Sequence, residues 1–328
     1  MATINDVARE AGVSKATVSK VINKKGSKIP ISEITIKKVL EAATRLNYTP
    51  NRIAQNLRTG LTNCIGFLLC ERLFSNKHYY VLLKYIESEL ANNGKNLIFS
   101  IYNPEDDLPH MLKERAVDGL LLAGRVTKDV VEKIQETNIP FLVIGSMADE
   151  AYDVNSLSGD TEKNVYAIFD YLLERGHRDI IYLSDYKEPL LIKKVFTGYQ
   201  QAFIAHNLNP KPDQIKTIED PYRDINNIFT EDLEATAIVT HQHFLNTLIY
   251  IIQQKGMNIP DQISVFLFGD DFLDSWQKDY FTYLPSDSEQ IATESVKYIM
   301  KLCNNEIEKV YKLISGKIRT GKTVKDIL

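Results

Sequence analysis

Four polar side chains near the start of the chain are of types that bind nucleic acid. They are Lys15, Thr17, Ser19 and Lys20. Lysine ammonium groups and short hydroxyl side chains hydrogen-bond phosphate oxygens, and lysine also donates to the major-groove edge of guanine. If this segment is a helix, Val18, Val21 and Ile22 share a separate apolar face. The polar side chains then stay on the outside, where they could contact DNA.

Two short helices are predicted to position these side chains. Thr3 precedes an apolar-periodic run and Asp6 follows three residues later, an arrangement that caps a helix start. Gly12 ends that helix, and Ser14 is a second N-cap candidate. Two helices with a tight turn, one apolar seam and a basic outer face indicate a helix-turn-helix. The alternative is an amphipathic hairpin that only packs on a larger body.

Charge is divided unevenly along the chain. Residues 1–60 contain 11 Lys or Arg against 4 Asp or Glu, a net charge of +7. Since the whole chain carries −4, the remainder carries −11. This division predicts a small nucleic-acid-binding head on an acidic body. Ser32 is expected to cap a third helix that completes the head.

Beyond Gly60, short apolar runs alternate with helical patterns. Strands are predicted at 65–70, 97–101, 120–123, 141–144, 180–183, 237–240 and 264–268. Helices are predicted at 79–92, 130–136, 165–174, 196–205, 244–255 and 288–304. Such alternation is typical of parallel sheets covered on both faces, and 328 residues suggest two or three domains.

Several short motifs form a specific pattern along the chain. In the head they occupy residues 3–8, 11–14, 17–19, 21–23 and 46–51, and in the body residues 65–66, 117–121, 139–140, 174–178 and 259–260. With these motifs the chain resembles the lactose-repressor (LacI/GalR) family of bacterial transcriptional regulators. The resemblance implies a helix-turn-helix head at 1–48, a hinge helix and linker at 49–60, and a two-lobed α/β body at 61–328. The body would be periplasmic-binding-protein-like, with doubly wound parallel sheets.

The resemblance also implies an architecture and a function for that body. Lobe 1 would span about 61–158 and 284–313, and lobe 2 about 159–283 and 314–328. The protein would be a homodimeric, sequence-specific repressor of a metabolic operon, bound to a near-palindromic operator in double-stranded DNA. A small-molecule effector, such as a sugar or sugar phosphate, would bind in the cleft between the lobes. No catalysis and no cofactor are expected.

The same resemblance implies a set of DNA contacts. Lys20 is expected to reach a guanine edge and Ala16 a thymine methyl group. Leu57 stands where the family inserts a leucine between base steps, although it could instead pack against the body. The expected DNA-binding residues are Thr3, Lys15, Ala16, Thr17, Ser19, Lys20, Asn23, Asn51, Ala54, Leu57 and Arg58.

The effector contacts depart from the family pattern. Val195 and His243 occupy positions where the family commonly has an Arg and an Asp or Asn, and Asp270 comes one place late. The polar residues that remain are mainly cationic and suit an anionic ligand, such as a phosphorylated sugar or nucleotide. The expected effector-binding residues are Phe74, Lys193, Lys194, Val195, His241, His243 and Asp270, with Arg125 nearby. The alternative is that Lys193 and Lys194 only solvate a helix start.

Spacing that would suit catalysis or metal binding was not found. His241 and His243 are predicted on a loop without nearby Cys or carboxylate partners, so no metal is expected. Asp270 and Asp271 are interpreted as a solvated pair at a strand end. The three cysteines lack metal-ligand or CxxC spacing and are expected to be reduced, buried thiols.

Other functions stay open at this point. The body could be a docking module for a regulatory protein, as in catabolite-control members of the family. An enzyme or a transport binding protein is opposed by the basic head and the missing catalytic set, although fold alone would not exclude either. Without a leader pattern or an apolar run of ~20 residues, the chain is expected to be cytoplasmic, with no membrane partner.

Overall fold

The structure is a computed structural model that describes residues 2–22, 31–49, 60–70, 78–103, 105–124, 126–145, 153–184, 186, 189–229 and 233–328. It divides into two compact units, Met1–Thr62 and Asn63–Leu328. Some of the expected site residues lie outside the described residues. They are Asn23, Asn51, Ala54, Leu57 and Arg58 at the DNA site, and Phe74 and Arg125 at the effector cleft.

The first unit contains the three helices expected for the head. They are α1 (Ile4–Ala11), α2 (Lys15–Ile22) and α3 (Glu33–Arg45). Their buried residues form one small core, made of Val7, Ala8, Val18, Val39 and Ala42. Each helix contributes at least one of these side chains, so the core fixes the three helices against each other.

The second unit is built from two parallel sheets and the helices that cover them. The strands are β1 (Cys64–Cys70), β2 (Asn96–Tyr102), β3 (Gly119–Gly124), β4 (Phe141–Ile144), β5 (Ser156–Gly159), β6 (Ile180–Ser184), β7 (Ile215–Thr217), β8 (Ala237–His241), β9 (Ser264–Phe268), β10 (Thr282–Leu284) and β11 (Tyr311–Ile314). The body helices are α4 (His78–Asn92), α5 (His110–Lys113), α6 (Lys128–Gln135), α7 (Thr161–Glu174), α8 (Pro189–Ala205), α9 (Pro221–Ile228), α10 (Leu245–Gln254), α11 (Ser275–Tyr280) and α12 (Ser288–Cys303).

Each sheet forms the centre of one lobe. In lobe 1 the strand order is β11-β5-β4-β3-β1-β2, and in lobe 2 it is β10-β9-β8-β6-β7. Alternate residues of a strand enter different cores, as β6 shows: Ile181 and Leu183 pack on one face, Ile180 and Tyr182 on the other. Both faces of each sheet are therefore buried, which confirms the doubly wound fold class.

The chain passes between the lobes three times. β5 ends lobe 1 at Gly159, β10 ends lobe 2 at Leu284, and β11 ends lobe 1 again at Ile314. Each strand runs one residue past the lobe boundary expected from the sequence. After the third crossing, Arg319 pairs with Tyr283 of β10, so the last segment of the chain is part of lobe 2.

Several elements were not predicted from the sequence. They are strands β5, β7, β10 and β11 and helices α5, α9 and α11. The strands have only three or four residues, too few for an alternating pattern to show, and β5 reads Ser-Leu-Ser-Gly. α8 was expected to begin at Phe196 but begins at Pro189, because a proline is tolerated in the first helical turn.

The cysteines are free thiols. Burial raises the pKa of Cys70 to about 12 and that of Cys303 to about 11. These two thiols are therefore protonated at neutral pH and unreactive, as expected of buried cysteines. Cys64 and Cys303 are half-buried rather than fully buried.

Candidate DNA-binding surface and effector cleft

The turn before α2 is set by local hydrogen bonds. Gly12 ends α1 with a φ of +64°, in the left-handed region that favours glycine. Ser14 then caps α2, since its Oγ accepts from the Thr17 backbone N–H at 3.1 Å. Both predicted caps are confirmed. Residues 12–14 therefore fix the direction in which α2 leaves α1.

The outer face of α2 is exposed and cationic. Val18 is fully buried in the head core, while Lys15, Ala16 and Lys20 are exposed and Thr17 and Ser19 are half-buried. Because Lys20 is one turn beyond Ala16, the exposed side chains lie on one side of the helix. The base and phosphate contacts of these side chains stay a prediction.

The acids of the head do not neutralise that face. Asp6 pairs with Arg9, and Glu10 pairs with Arg45 at 3.5 Å. Within the described residues, Lys15 and Lys20 form no ion pair. Their charges are therefore available to an anionic partner such as phosphate.

Thr3 has a structural task in addition to its expected DNA contact. Its hydroxyl donates to Asp6 Oδ2 at 2.7 Å and accepts from the Asp6 N–H, which completes a capping box. The backbone and side-chain hydrogen bonds from Thr3 hold the pKa of Asp6 below its usual value. Thr3 is exposed. Its described role is to start α1.

At the carboxyl ends of the lobe 2 strands lies a cluster of rings centred on His241. This residue was expected on a loop, but it is the last residue of β8. Its Nε2 is 2.9 Å from the hydroxyl of the buried Tyr182. The rings of Tyr186 and Phe268 flank it, with centroids at 5.3 and 5.1 Å. These three aromatic residues were not expected from the sequence, although Tyr186 and Phe268 lie close to or at the ends of β6 and β9.

Among the described residues, the expected cationic side chains differ in their surroundings. His243 lies close, with its ring centroid 5.7 Å from that of His241. Lys193 is exposed on α8, whereas Lys194 lines a separate pocket of about 470 Å³ together with Gly159 and Tyr311. Neither His241 nor His243 lines this pocket.

The Val195 side chain is buried, which does not support the effector contact expected of it. It was included in the effector set because it stands where the family commonly has an Arg. In the structure its side chain is 1% exposed and packs in the core that α7 and α8 form on the lobe 2 sheet. The apolar residue has joined the core because its side chain has no polar end that must reach solvent or ligand.

Asp270 and Asp271 are not the solvated pair that was expected. Asp270 pairs with Lys278 at 2.8 Å and accepts from the Ser286 N–H at 3.1 Å. The Asp271 side chain is only 4% exposed and is held by His78 and Ser288, both at 2.7 Å. The pairing was missed because His78 lies 193 residues away in the chain.

This Ser–His–Asp group does not have the geometry of a catalytic triad. Asp271 and Ser288 both approach the same ring nitrogen, Nδ1, at 2.7 and 3.5 Å. In a triad the carboxylate and the nucleophile contact opposite ring nitrogens. Ser288 also donates to Asp271 rather than to the histidine. The arrangement suits a structural contact.

Two further features bear on the class of protein. In the described part of the chain, His, Cys, Asp and Glu side chains form no group of three that could hold a metal ion. Among the same residues, no helix is long and apolar enough to cross a membrane.

Comparison with known proteins identifies both units. Residues 3–51 match the family described as bacterial regulatory proteins, lacI family. Residues 62–314 match the family described as periplasmic binding proteins and sugar binding domain of LacI family. Two family matches therefore cover most of the chain, and the division between them falls where the charge changes sign.

Individual relatives agree with these matches. The HTH-type transcriptional repressor PurR of Vibrio campbellii is 31% identical over 279 residues, or 81% of each chain. Catabolite control protein A of Priestia megaterium is 28% identical over 315 residues, or 93% of each chain. The lac repressor dimer bound to operator and the anti-inducer ONPF has the same fold, with a TM-score of 0.76 and 21% identity over 99% of each chain. The chain therefore belongs to the LacI family of bacterial regulatory proteins.

Proposed function

We propose that this LacI-family regulator represses a metabolic operon by binding a near-palindromic operator with the exposed face of α2. The observation that carries the proposal is the exposed face of Lys15, Ala16 and Lys20, which is fixed by a buried Val18 and carries no ion pair in the described head. The chromosome of a bacterium is cytoplasmic, so the regulator acts there. No catalytic step is assigned to it.

The individual contacts follow from side-chain chemistry. Lys20 donates to a guanine edge, Ala16 packs against a thymine methyl group, and Lys15 binds a base or phosphate. Thr17 and Ser19 bind phosphate, together with Thr3 and Asn23. The hinge residues Asn51, Ala54, Leu57 and Arg58 enter the minor groove, where Leu57 unstacks a base step.

Selection from a random pool of DNA duplexes tests this proposal. The full-length protein should enrich an inverted repeat, because a symmetric dimer presents two identical heads. The pool should be washed at one fixed salt concentration, since phosphate contacts make affinity salt-dependent. Recovery of no common sequence, or of a single unrepeated half-site, would contradict the proposal.

A homodimer is supported by apolar surfaces of the body. β2 is an edge strand of the lobe 1 sheet, and its Phe99 and Ile101 are 38% and 44% exposed. In lobe 2, Tyr222 and Tyr250 are 57% and 49% exposed, with ring centroids 6.3 Å apart. An edge strand can pair with another chain, and exposed apolar patches mark interaction surfaces, so both features suit cover by a second copy.

Sedimentation tests the dimer. Ile101→Lys should shift the protein towards monomer and weaken operator binding. Ile204→Lys provides the control, because Ile204 is also exposed, at 63%, but lies on α8 outside the proposed interface. A wild-type monomer that binds a half-site tightly would refute the homodimer.

The effector is proposed to be a neutral, ring-shaped molecule such as a sugar. Ligand sites are commonly lined by aromatic side chains with a few polar groups, and the cluster of Tyr186, His241 and Phe268 has this composition. A phosphorylated ligand has less support, because Lys194 lines another pocket. Of the expected effector-binding residues, His241 and His243 belong to the proposed site, and Asp270 follows Phe268 by two residues in the chain.

A thermal-shift screen of plain sugars, phosphorylated sugars, nucleotides and organic acids tests the effector. Any true ligand stabilises the protein by RT ln(1 + [L]/Kd). A plain sugar should raise Tm, Tyr186→Ala should reduce the shift, and Lys194→Ala should leave it unchanged. A Tm shift seen only with phosphorylated compounds, and lost in Lys194→Ala, would support an anionic ligand instead. If no metabolite shifts Tm, the alternative of a docking module for a regulatory protein gains support.

A further inference from the structure

We propose that Asp271 clasps the two lobes together and thereby sets the lobe arrangement in which the protein binds DNA. Asp271 lies in the loop that follows β9, in lobe 2. His78 is the first residue of α4 and Ser288 the first residue of α12, two helices that share the lobe 1 core. The hydrogen bonds of the Asp271 carboxylate therefore connect lobe 2 to lobe 1. We call Asp271, His78 and Ser288 the Asp271 clasp.

The hydrogen bonds of the Asp271 clasp have a defined direction. Burial pushes the pKa of Asp271 upward, but hydrogen bonds from His78, Ser288 and Ser286 and the charge of His78 outweigh it and hold the pKa below its usual value. Asp271 is therefore ionised at neutral pH and can only accept. His78 Nδ1 and Ser288 Oγ must be the donors. The carboxylate also meets the first turns of two helices, where the helix dipoles favour a negative charge.

The surroundings make the clasp sensitive to the loss of one partner. Asp270 is adjacent in the chain, and Asp287 is half-buried, with its pKa raised by burial and by the charge of Asp270. The nearby cations Lys278 and Arg319 line the same pocket between the lobes. Lys278 is already paired with Asp270. Without His78, Asp271 would be a buried charge near other carboxylates, which favours separation of the lobes rather than simple loss of one contact.

The clasp is also connected to the proposed effector site, and this step rests on the proposed function. Asp271 follows Gly269 and Asp270, which continue directly from Phe268 at the edge of the ring cluster. A ligand that displaces this short loop would move Asp271 relative to His78. The ligand could then change the lobe arrangement only to the extent that it binds the clasped and unclasped states differently.

A double-mutant cycle on the full-length protein tests the clasp. Wild type, His78→Ala, Asp271→Ala and the double variant are compared for hydrogen exchange at the start of α4, at the start of α12 and in residues 269–274. Each single change should increase exchange in all three segments. The double variant should resemble the single ones, because the first change already breaks the contact. Operator affinity should change at least ~5-fold in each variant, in one direction.

A matched control exists in lobe 1. His110 and Glu114 are also a histidine–carboxylate pair, at 3.5 Å, but both are exposed and belong to one lobe. His110→Ala should leave exchange in the three segments and operator affinity unchanged. Asp271→Asn, which keeps the size and one acceptor, should lie between wild type and Asp271→Ala and gives a readout if the alanine variant folds poorly.

The outcomes separate the clasp from the proposed function. If wild type binds no DNA, the proposed function fails, but hydrogen exchange in the double-mutant cycle still tests the clasp. Independent, additive effects of the two alanine changes on exchange would overturn the clasp. So would operator affinity that stays within ~2-fold of wild type in all three variants when wild type binds its operator.

Discussion

The head and lobe 2 differ in the chain distance over which their sites are assembled. In the head, Ser14 caps α2 through Thr17, and Val18 packs in one core with Val39. In lobe 2, His241 contacts Tyr182 across 59 residues, and Asp271 of lobe 2 contacts His78 of lobe 1 across 193. A site made by neighbours in sequence can be recognised from spacing. A site made where distant strand ends converge requires the fold.

This difference predicts that the two units can be damaged separately. Val18→Asp buries a charge in the head core, where Val18 is fully buried. The head should lose about 4 kcal/mol of stability and unfold, because an unpaired buried charge is among the most destabilising changes. Calorimetry or circular dichroism should show the body transition unchanged.

The control for Val18→Asp is Ile34→Asp. Ile34 is 71% exposed in the first turn of α3, where an acid is tolerated and favoured by the helix dipole. Its effect on the head should be small. If Val18→Asp lowers the head and body transitions together, the two units do not fold independently and the comparison fails.

The reverse experiment damages the body. Gly198 lies where α8 crosses α7, and a methyl group there would overlap the carbonyl oxygen of Glu162. Gly198→Ala should destabilise the body by about 2 kcal/mol through overpacking, with the head transition unchanged.

Gly159→Ala is the matched control for Gly198→Ala. A methyl group on Gly159 would meet no atom of the described residues within 4 Å. The Tm of Gly159→Ala should stay near that of wild type or rise slightly, because alanine lowers the conformational entropy of the unfolded chain. Equal losses in the two variants would mean that the α7–α8 contact is not the cause.

A smaller difference between the body and the head should appear in the pH dependence of their stability. All six histidines are in the body. His177 is fully buried, with Nδ1 2.8 Å from Thr236 Oγ1 and Nε2 3.1 Å from the Lys325 carbonyl, and burial lowers its pKa from 6.5. The unfolded chain therefore binds a proton more readily than the folded one.

This difference in the pKa of His177 between the folded and unfolded chains sets the direction in which stability changes with pH. The contribution of neutral His177 to stability is fully present above pH 6.5 and is lost as pH falls below it towards the lower folded pKa. The Tm of the body should fall between about pH 7.5 and 5.5, while that of the head stays level. His177→Gln should flatten the body curve. A head that follows the same curve would contradict the comparison.

The sequence predicted much of the fold for local reasons. The Thr3, Ser14 and Ser32 caps each bond a residue three places away, so spacing was enough to find them. The longer strands were recognised because buried parallel strands are continuously apolar. Short edge strands such as β7 and β11 are held by their neighbours in the sheet rather than by their own pattern.

The candidate effector site was predicted less well. Val195 was expected in the cleft because of its position in the family pattern, but its apolar side chain packs in the lobe 2 core. Asp271 was interpreted as solvated because its partner, His78, could not be identified without the topology. The sequence predicted which strand ends face the cleft, and three-dimensional packing decided which side chains remain available there.

The most direct test of DNA reading by α2 is a competition assay with the selected operator and all its single base-pair substitutions. Wild type, Lys20→Ala and Lys38→Ala would be compared at one salt concentration; Lys38 is an exposed lysine on α3, so its change removes the same charge. Lys20→Ala should lose about 1 to 3 kcal/mol of discrimination at one symmetric base position, and Lys38→Ala should keep the wild-type preference. An unchanged sequence preference in Lys20→Ala, even with weaker overall binding, would contradict the assignment of α2 as the reading helix.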